Sequence, residues 1–265
     1  MHPGAGEVLI FLNLARRITD RAVYAPHTFD REPFFSGMEE MTATYIAAIK
    51  RTQPEGPYAI VGYSYGGTLA FAMAKVMQSQ GDQIPFLAVF DQPSYIKQRT
   101  RHSGWDDVLF TLARFFELLP EREIEEHVAA QLRSIISCND NHDIVKDRLV
   151  DILLASASNS HLEEIGLDKK RLRTWTSLVL NSHTIAVDNE PKVHVPLLEV
   201  FNAQPIKEVA ETKREWIQQK LSRWRDFVGD AQFHEVHGHH YDLIGLDNVE
   251  TFWNKFSARL KACGV

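Results

Sequence analysis

The sequence predicts an α/β fold, with a mostly parallel central sheet flanked by helices and an all-helical insertion. Three observations predict it. Short apolar runs alternate with amphipathic helical stretches at both ends of the chain. The stretch "YAIVGYSYGGTLAFAMA" passes from an apolar run into a helix through a glycine-rich knot. Between residues 98 and 187 no strand pattern occurs, only helical periodicity.

The elements follow in order. Val8, Phe11, Leu12, Ala15 and Ile18 sit at helical spacing, which predicts a helix over 7–18. Just before it lies the turn-like His2-Pro3-Gly4-Ala5-Gly6, with no strand leading in. Such a turn normally follows a strand in an α/β protein, so the opening reads as an artificial start or as a domain cut from a longer chain. Pro26 and Pro33 make 20–36 irregular. A helix from Met38 to about Arg51 is closed by Pro54, Gly56 and Pro57. "YAIVGYS" is a short buried strand, "GGTLAFAMAKVMQSQG" a helix stopped near Gly81, and "QIPFLAVFD" a second strand ending at Asp91. Four helical segments then span 105–119, 121–136, 144–157 and 169–185. "HVPLLEVFNAQP" is a strand and "KREWIQQKLSRWRDFVG" a helix. "AQFHEVHGHHYDLI" reads as a short strand with a loop, and "NVETFWNKFSARLKACG" as the terminal helix. The organisation is therefore a core of residues 1–97 and 188–265, with an insertion over 98–187.

Bulk properties exclude several classes. A chain of 265 residues suffices for one large domain, or a core with an insertion. A net charge of −6 argues against nucleic acid and anionic membrane as partners. No apolar stretch approaches the roughly 18–20 residues of a membrane span, and no signal peptide opens the chain. Cys138 and Cys263, far apart in sequence, read as free thiols of a reducing compartment. The expected location is cytoplasmic.

The knot Gly62-Tyr63-Ser64-Tyr65-Gly66 matches G-x-S-x-G. Its glycines permit a sharp strand-to-helix turn that exposes the serine. The helix that follows aims free N–H groups at the same point, so the Tyr65 N–H is a candidate oxyanion donor. The bland alternative is an ordinary glycine-rich turn or a phosphate loop, but the Gly-Lys-Ser/Thr of a Walker loop is absent. A serine hydroxyl needs a general base. In the α/β-hydrolase fold, where this elbow is at home, the histidine comes last in chain order. That points to the cluster His234, His237, His239 and His240. His240, just before Tyr241 and the apolar pair Leu243-Ile244, is favoured over His239. Four imidazoles could instead bind zinc, but no metal-ligand spacing supports a metal, and none is expected. The remaining histidines, His2 among them, read as surface or packing residues.

The base needs an acid to orient it. One usual slot, at the end of "VPLLEVFNAQP", holds Asn202, a neutral amide that cannot offset an imidazolium. The other, after the strand that follows the nucleophile's helix, holds Asp91. Asp91 is the predicted acid, with a capping role before Pro93 as its alternative and Asp242 as a weaker candidate. The insertion then falls between acid and base, where a lid can fold over a pocket. Trp105, Phe110, Phe115, Phe116 and Trp175 suit an apolar acyl group, although most must pack the lid itself.

"HPGAGE", "GPYAIVGYSYGGTLAFAMA", "FLAVFDQP" and "VHGHHYDLI" together resemble a type I thioesterase domain of nonribosomal peptide and polyketide synthases. The resemblance implies Ser64 as nucleophile, Asp91 as acid and His240 as base. By position it implies a backbone N–H near Gly4 (or Ala5) as second oxyanion donor beside Tyr65. It needs no cofactor within the domain. Its substrate arrives on the phosphopantetheine arm of a carrier domain, loaded by an adenylation domain of the same synthetase. "GEVLIFLNLARRITDRAVYA" and "REPFFSGMEEM" are similar to thioesterase domains of fungal adenylation–carrier–thioesterase synthetases, which join two aryl pyruvates into quinones or furanones. That likeness implies release by carbon–carbon bond formation rather than plain hydrolysis. Three rivals are a discrete type II editing thioesterase, a general carboxylesterase and a non-catalytic binder. The first would open with a complete strand, the second would fill the Asn202 slot, and the third would lack a triad member.

Overall fold

The structure, a computed structural model, describes residues 1–4, 6, 8–26, 34–94, 104–116, 118–119, 135, 142–187, 195–205 and 210–265. It divides into two compact units, Met1–Arg101 with Ser182–Val265, and His102–Asn181. The sequence reading placed the insertion at 98–187.

The first unit is built on a sheet of β1 (Ala59–Tyr63), β2 (Phe86–Phe90), β3 (Val195–Gln204) and β4 (Val228–His239). Among the described residues these four strands pair in the order β1-β2-β3-β4, all parallel. A parallel sheet must be covered on both faces, so its strands read as near-continuous apolar runs. β2, "FLAVF", is buried at every position. Its alternate side chains serve two cores. Leu87 and Val89 pack in the cluster that holds Met41 and Ile46 of α2 (Met38–Thr52) and Leu69 and Met73 of α3 (Tyr65–Ser79). Phe86, Ala88 and Phe90 pack in the cluster with Phe252 and Phe256 of the C-terminal helix Val249–Ala262. Phe90 meets Phe252 edge-on with centroids 4.7 Å apart.

Register positions the site. Tyr63 lies opposite Phe90, and Phe90 opposite Phe201. The residues that leave β1 and β2, Ser64 and Asp91, therefore emerge side by side at one end of the sheet. The Ser64 N–H donates to the Phe90 carbonyl at 3.0 Å, and the Asp91 N–H to the Phe201 carbonyl at 2.8 Å.

Three segments depart from the sequence reading. The helix expected over 7–18 is a 3-10 turn, Leu9–Phe11, followed by the short α1, Leu12–Ala15. Of the expected apolar stripe, Leu12 stays 45% exposed and Phe11 and Ile18 are only partly buried against the core, so the stripe finds too little to pack on to sustain a longer helix. The helix after β3 is composite: an α turn at Lys213–Glu215, a π segment at Trp216–Lys220 and a 3-10 segment at Leu221–Asp226. β4 is longer than expected. It pairs with β3 from Val195↔Val228 to Gln204↔His239, and that ladder overrides the polar composition of "DAQFHEVHGH".

The second unit holds Trp105–Phe115, His142–Ser156, Asn159–Ile165 and the part of Lys169–Val187 that precedes Ser182. The short helix Asn159–Ile165 was not expected. The Ser158 side chain caps it by accepting from the His161 N–H, and Gly166 ends it at φ 61°. Phe116 and Trp175 stack at 4.8 Å within this unit. The helix expected at 121–136 lies outside the described residues, Ile135 apart.

Candidate active site

The two glycines of the Ser64 turn have a steric reason. A Cβ at Gly62 would stand 1.9 Å from the Gly66 carbonyl oxygen, because the start of α3 folds back over the end of β1. A Cβ at Gly66 would stand 2.3 Å from the Met1 carbonyl oxygen and 2.5 Å from that of His2. Between them Ser64 takes φ 53°, ψ −129°, a strained conformation for a residue with a side chain. The Gly67 N–H, donating to the Ser64 carbonyl at 2.7 Å, closes the turn.

His240 follows β4 directly. Its Nε2 lies 3.0 Å from Ser64 Oγ, and its Nδ1 lies 2.9 Å from Asp91 Oδ2. A carboxylate can only accept, so Nδ1 carries the proton. A neutral ring then leaves Nε2 as acceptor, and the Ser64 hydroxyl donates to it. Asp91 is 1% exposed and the His240 side chain 13%, so the pair faces little water. Asp91 also has positive φ, 52°. An aspartate tolerates that region, and here it turns the carboxylate back towards the imidazole. The other candidates lie elsewhere. The His239 ring is 70% exposed, with Nδ1 3.7 Å from Asp242 Oδ2. Asp242 Oδ1 accepts from the His239 backbone N–H at 2.5 Å and so braces the turn that carries His240. Asn202 is buried within β3, and among the described residues neither polar atom of its side chain has a hydrogen-bond partner. His234 donates Nε2–H to the buried carboxylate of Glu199.

Tyr65 opens α3, so its N–H has no intrahelical acceptor and points out of the helix N-terminus. Gly4 sits in a turn that the Gly6 N–H closes by donating to the Pro3 carbonyl at 3.0 Å. That turn is tied to the elbow, since the Tyr63 N–H donates to the Met1 carbonyl at 3.3 Å.

Three neighbours of the site were not singled out from the sequence. His2, expected at the surface or in packing, is fully buried, with Nε2 2.6 Å from Tyr45 Oη and Nδ1 2.7 Å from the Pro3 carbonyl. Tyr63 Oη donates to the His240 carbonyl. Burial, then the charge of Asp91 nearby, pushes its phenol well above the usual range, so it stays a neutral donor. Trp216 Nε1 donates to Asp91 Oδ1 at 2.8 Å. Tyr63 was in view inside the motif. Trp216, 125 positions from its partner, gave no local signal.

A thioesterase-domain family model matches residues 1–260. The chain belongs to the thioesterase domain family. It is 40% identical over 268 residues to a nonribosomal peptide synthetase, acyN, of Ascocoryne sarcoides. It is 37% identical over 269 residues to the aspulvinone E synthetase melA of Aspergillus terreus. In both, all of this chain is matched, and it spans 28% of the relative's length. The thioesterase domain of NocB, from the nocardicin cluster, superposes with a TM-score of 0.63 at 18% identity, covering 98% of this chain and 91% of that one. The parallel sheet with flanking helices is thus the α/β-hydrolase fold of thioesterase domains, as expected. Multidomain synthetases as relatives weigh against a discrete editing thioesterase or a general carboxylesterase. Among the described residues of this thioesterase domain, no helix is long and apolar enough to cross a membrane.

Proposed function

We propose that this thioesterase domain takes an acyl group from a carrier-domain phosphopantetheine thioester onto Ser64, with His240 as base and Asp91 as the acid that orients it. The carrying observation is the hydrogen-bonded line Ser64 Oγ, His240 Nε2, His240 Nδ1, Asp91 Oδ2, at 3.0 and 2.9 Å. His240 Nε2 removes the Ser64 proton as Oγ attacks the thioester carbon. The negative charge that develops on the carbonyl oxygen is held by the N–H groups of Tyr65 and of the turn at Gly4. Collapse breaks the C–S bond, and the proton on His240 passes to the departing thiolate. The product is an acyl-O-Ser64 ester and a free pantetheine thiol.

The second step determines the product. Water attacking the ester gives a free acid. If a base near His240 takes the proton beside the ketone of a second aryl pyruvate, the carbanion attacks the ester carbon, the bond from that carbon to Ser64 Oγ breaks as the C–C bond forms, and the removed proton restores the Ser64 hydroxyl. We propose the latter, joining two aryl pyruvates to a quinone or furanone, because a 37% identical relative is named an aspulvinone E synthetase. Two experiments test the scheme. Intact mass after treatment with a fluorophosphonate should show one adduct, absent from Ser64→Ala; labelling of the variant would move the nucleophile elsewhere. Incubation with a carrier protein bearing aryl-pyruvyl thioesters should release coupled product, and free aryl pyruvate alone would rule out the condensation.

A further inference from the structure

We propose that Trp216 is a positioning residue for the acid: its indole N–H holds one oxygen of Asp91 so that the other stays aimed at His240. This rests on the reading of Asp91 as the acid. Oδ1 receives the Trp216 Nε1–H at 2.8 Å and the Ala203 N–H at 3.1 Å, while Oδ2 faces His240 Nδ1 at 2.9 Å. The last torsion of an aspartate is broad, so an unheld carboxylate rocks and swaps the oxygen that it presents. Two donors on one oxygen remove that freedom. The indole is well suited to hold it. It can only donate, and at 4% exposure it has no water to turn to, so leaving Asp91 would strand a buried donor.

A second contact from the same segment makes this a clamp. Trp224 Nε1 donates to the Gln92 carbonyl at 2.8 Å. The composite helix thus grips consecutive residues, Asp91 by its side chain and Gln92 by its backbone, just where the chain turns at φ 52°. The π segment begins at Trp216 itself. Such widened turns are frequent at functional sites, where they re-aim a side chain that a regular helix would direct elsewhere. Packing alone does not require the nitrogen, because the apolar body of Trp216 already sits in the core with Leu221 and Trp224.

The test removes the N–H and keeps the shape. Trp216 is replaced by 3-benzothienylalanine, in which sulfur stands where the indole has N–H; Trp216→Phe is the second variant. Turnover of a carrier-bound thioester, the rate of fluorophosphonate labelling at Ser64 and the unfolding temperature are measured for each. For the analogue, kcat and the labelling rate are expected to fall about tenfold, the loss of one buried hydrogen bond. KM should stay within about twofold, while Tm falls by a few degrees because the same buried hydrogen bond also contributes to folding. Trp216→Phe should lose as much kcat and more Tm. An analogue that turns over and labels like the parent overturns the proposal, as does a rise in KM at unchanged kcat. If the parent itself does not label at Ser64, the triad reading falls first. If the parent labels and the analogue labels equally fast, only the role of Trp216 falls.

Discussion

Asp91 and Asp242 are both close to a histidine, yet in different surroundings. Asp91 is buried and offers Oδ2 to the His240 ring; Asp242 is largely exposed and holds the His239 backbone N–H. Asp91→Asn would place an amide at Nδ1 and favour the tautomer with the proton on Nε2, facing Ser64. If Asp91 is the acid, as proposed, kcat should fall about 10⁴-fold with binding and folding nearly intact. Asp242→Asn should keep kcat within a few-fold, because the amide oxygen can still accept from the His239 N–H. Steady-state kinetics on one thioester separates the two, and the opposite ranking would reassign the acid. The elbow glycines give a second residue-scale expectation. Gly62→Ala puts a Cβ 1.9 Å from the Gly66 carbonyl, a backbone atom that cannot step aside. The variant should be recovered poorly as soluble protein, or melt well below the parent in a thermal scan.

At the scale of elements, the sequence reading succeeded where local pattern and tertiary role agree. The β2 run "FLAVF" is apolar because both faces are covered, and the strand ends at Phe90, one residue before the expected end at Asp91. Around Ser64 the motif, the strand and the helix start all constrain the same few residues. What was not legible depends on partners distant in the chain. The composite winding after β3 coincides with two indoles that bond to residues 91 and 92, and the length of β4 follows from its ladder with β3. Glu199 on β3 is a further case. It is a fully buried carboxylate, paired to Arg259 of the C-terminal helix at 2.9 and 3.0 Å and bonded to His234 of β4. Burial pushes its carboxyl up, but His234 and Arg259 more than offset that and leave it below the usual carboxylate range. A carboxyl lowered on folding adds stability that is complete above its unfolded pKa and lost as pH falls through the folded one. Thermal unfolding should therefore show a loss of Tm on acidification below about pH 4.5, the ordinary carboxyl value. Glu199→Gln should flatten that acid limb and cost about 1–2 kcal/mol near neutrality, since it weakens the charged hydrogen bonds of Arg259, whose side chain is 33% exposed and can turn to water. An unchanged acid limb in the variant would remove Glu199 from the account.

For the whole molecule, the governing fact is that the chain spans 28% of the length of the synthetases it matches. If the acyl donor is a carrier domain on the same polypeptide, the donor never has to be found by diffusion. Tethering by a short flexible linker supplies an effective concentration on the order of millimolar. A docking surface used at that concentration gains nothing from nanomolar affinity, and tight binding would slow the exchange of unloaded for loaded carrier. The thioesterase domain supplied with carrier in trans should therefore show a KM of about 0.1–1 mM for the acyl-carrier thioester. The same domain joined to its carrier by a linker should turn over at the trans kcat, independent of protein concentration. The two forms can be compared by product formation under single-turnover conditions over a range of concentrations. A trans KM in the low micromolar range or below would indicate a dedicated high-affinity interface and a donor that comes and goes as a separate protein.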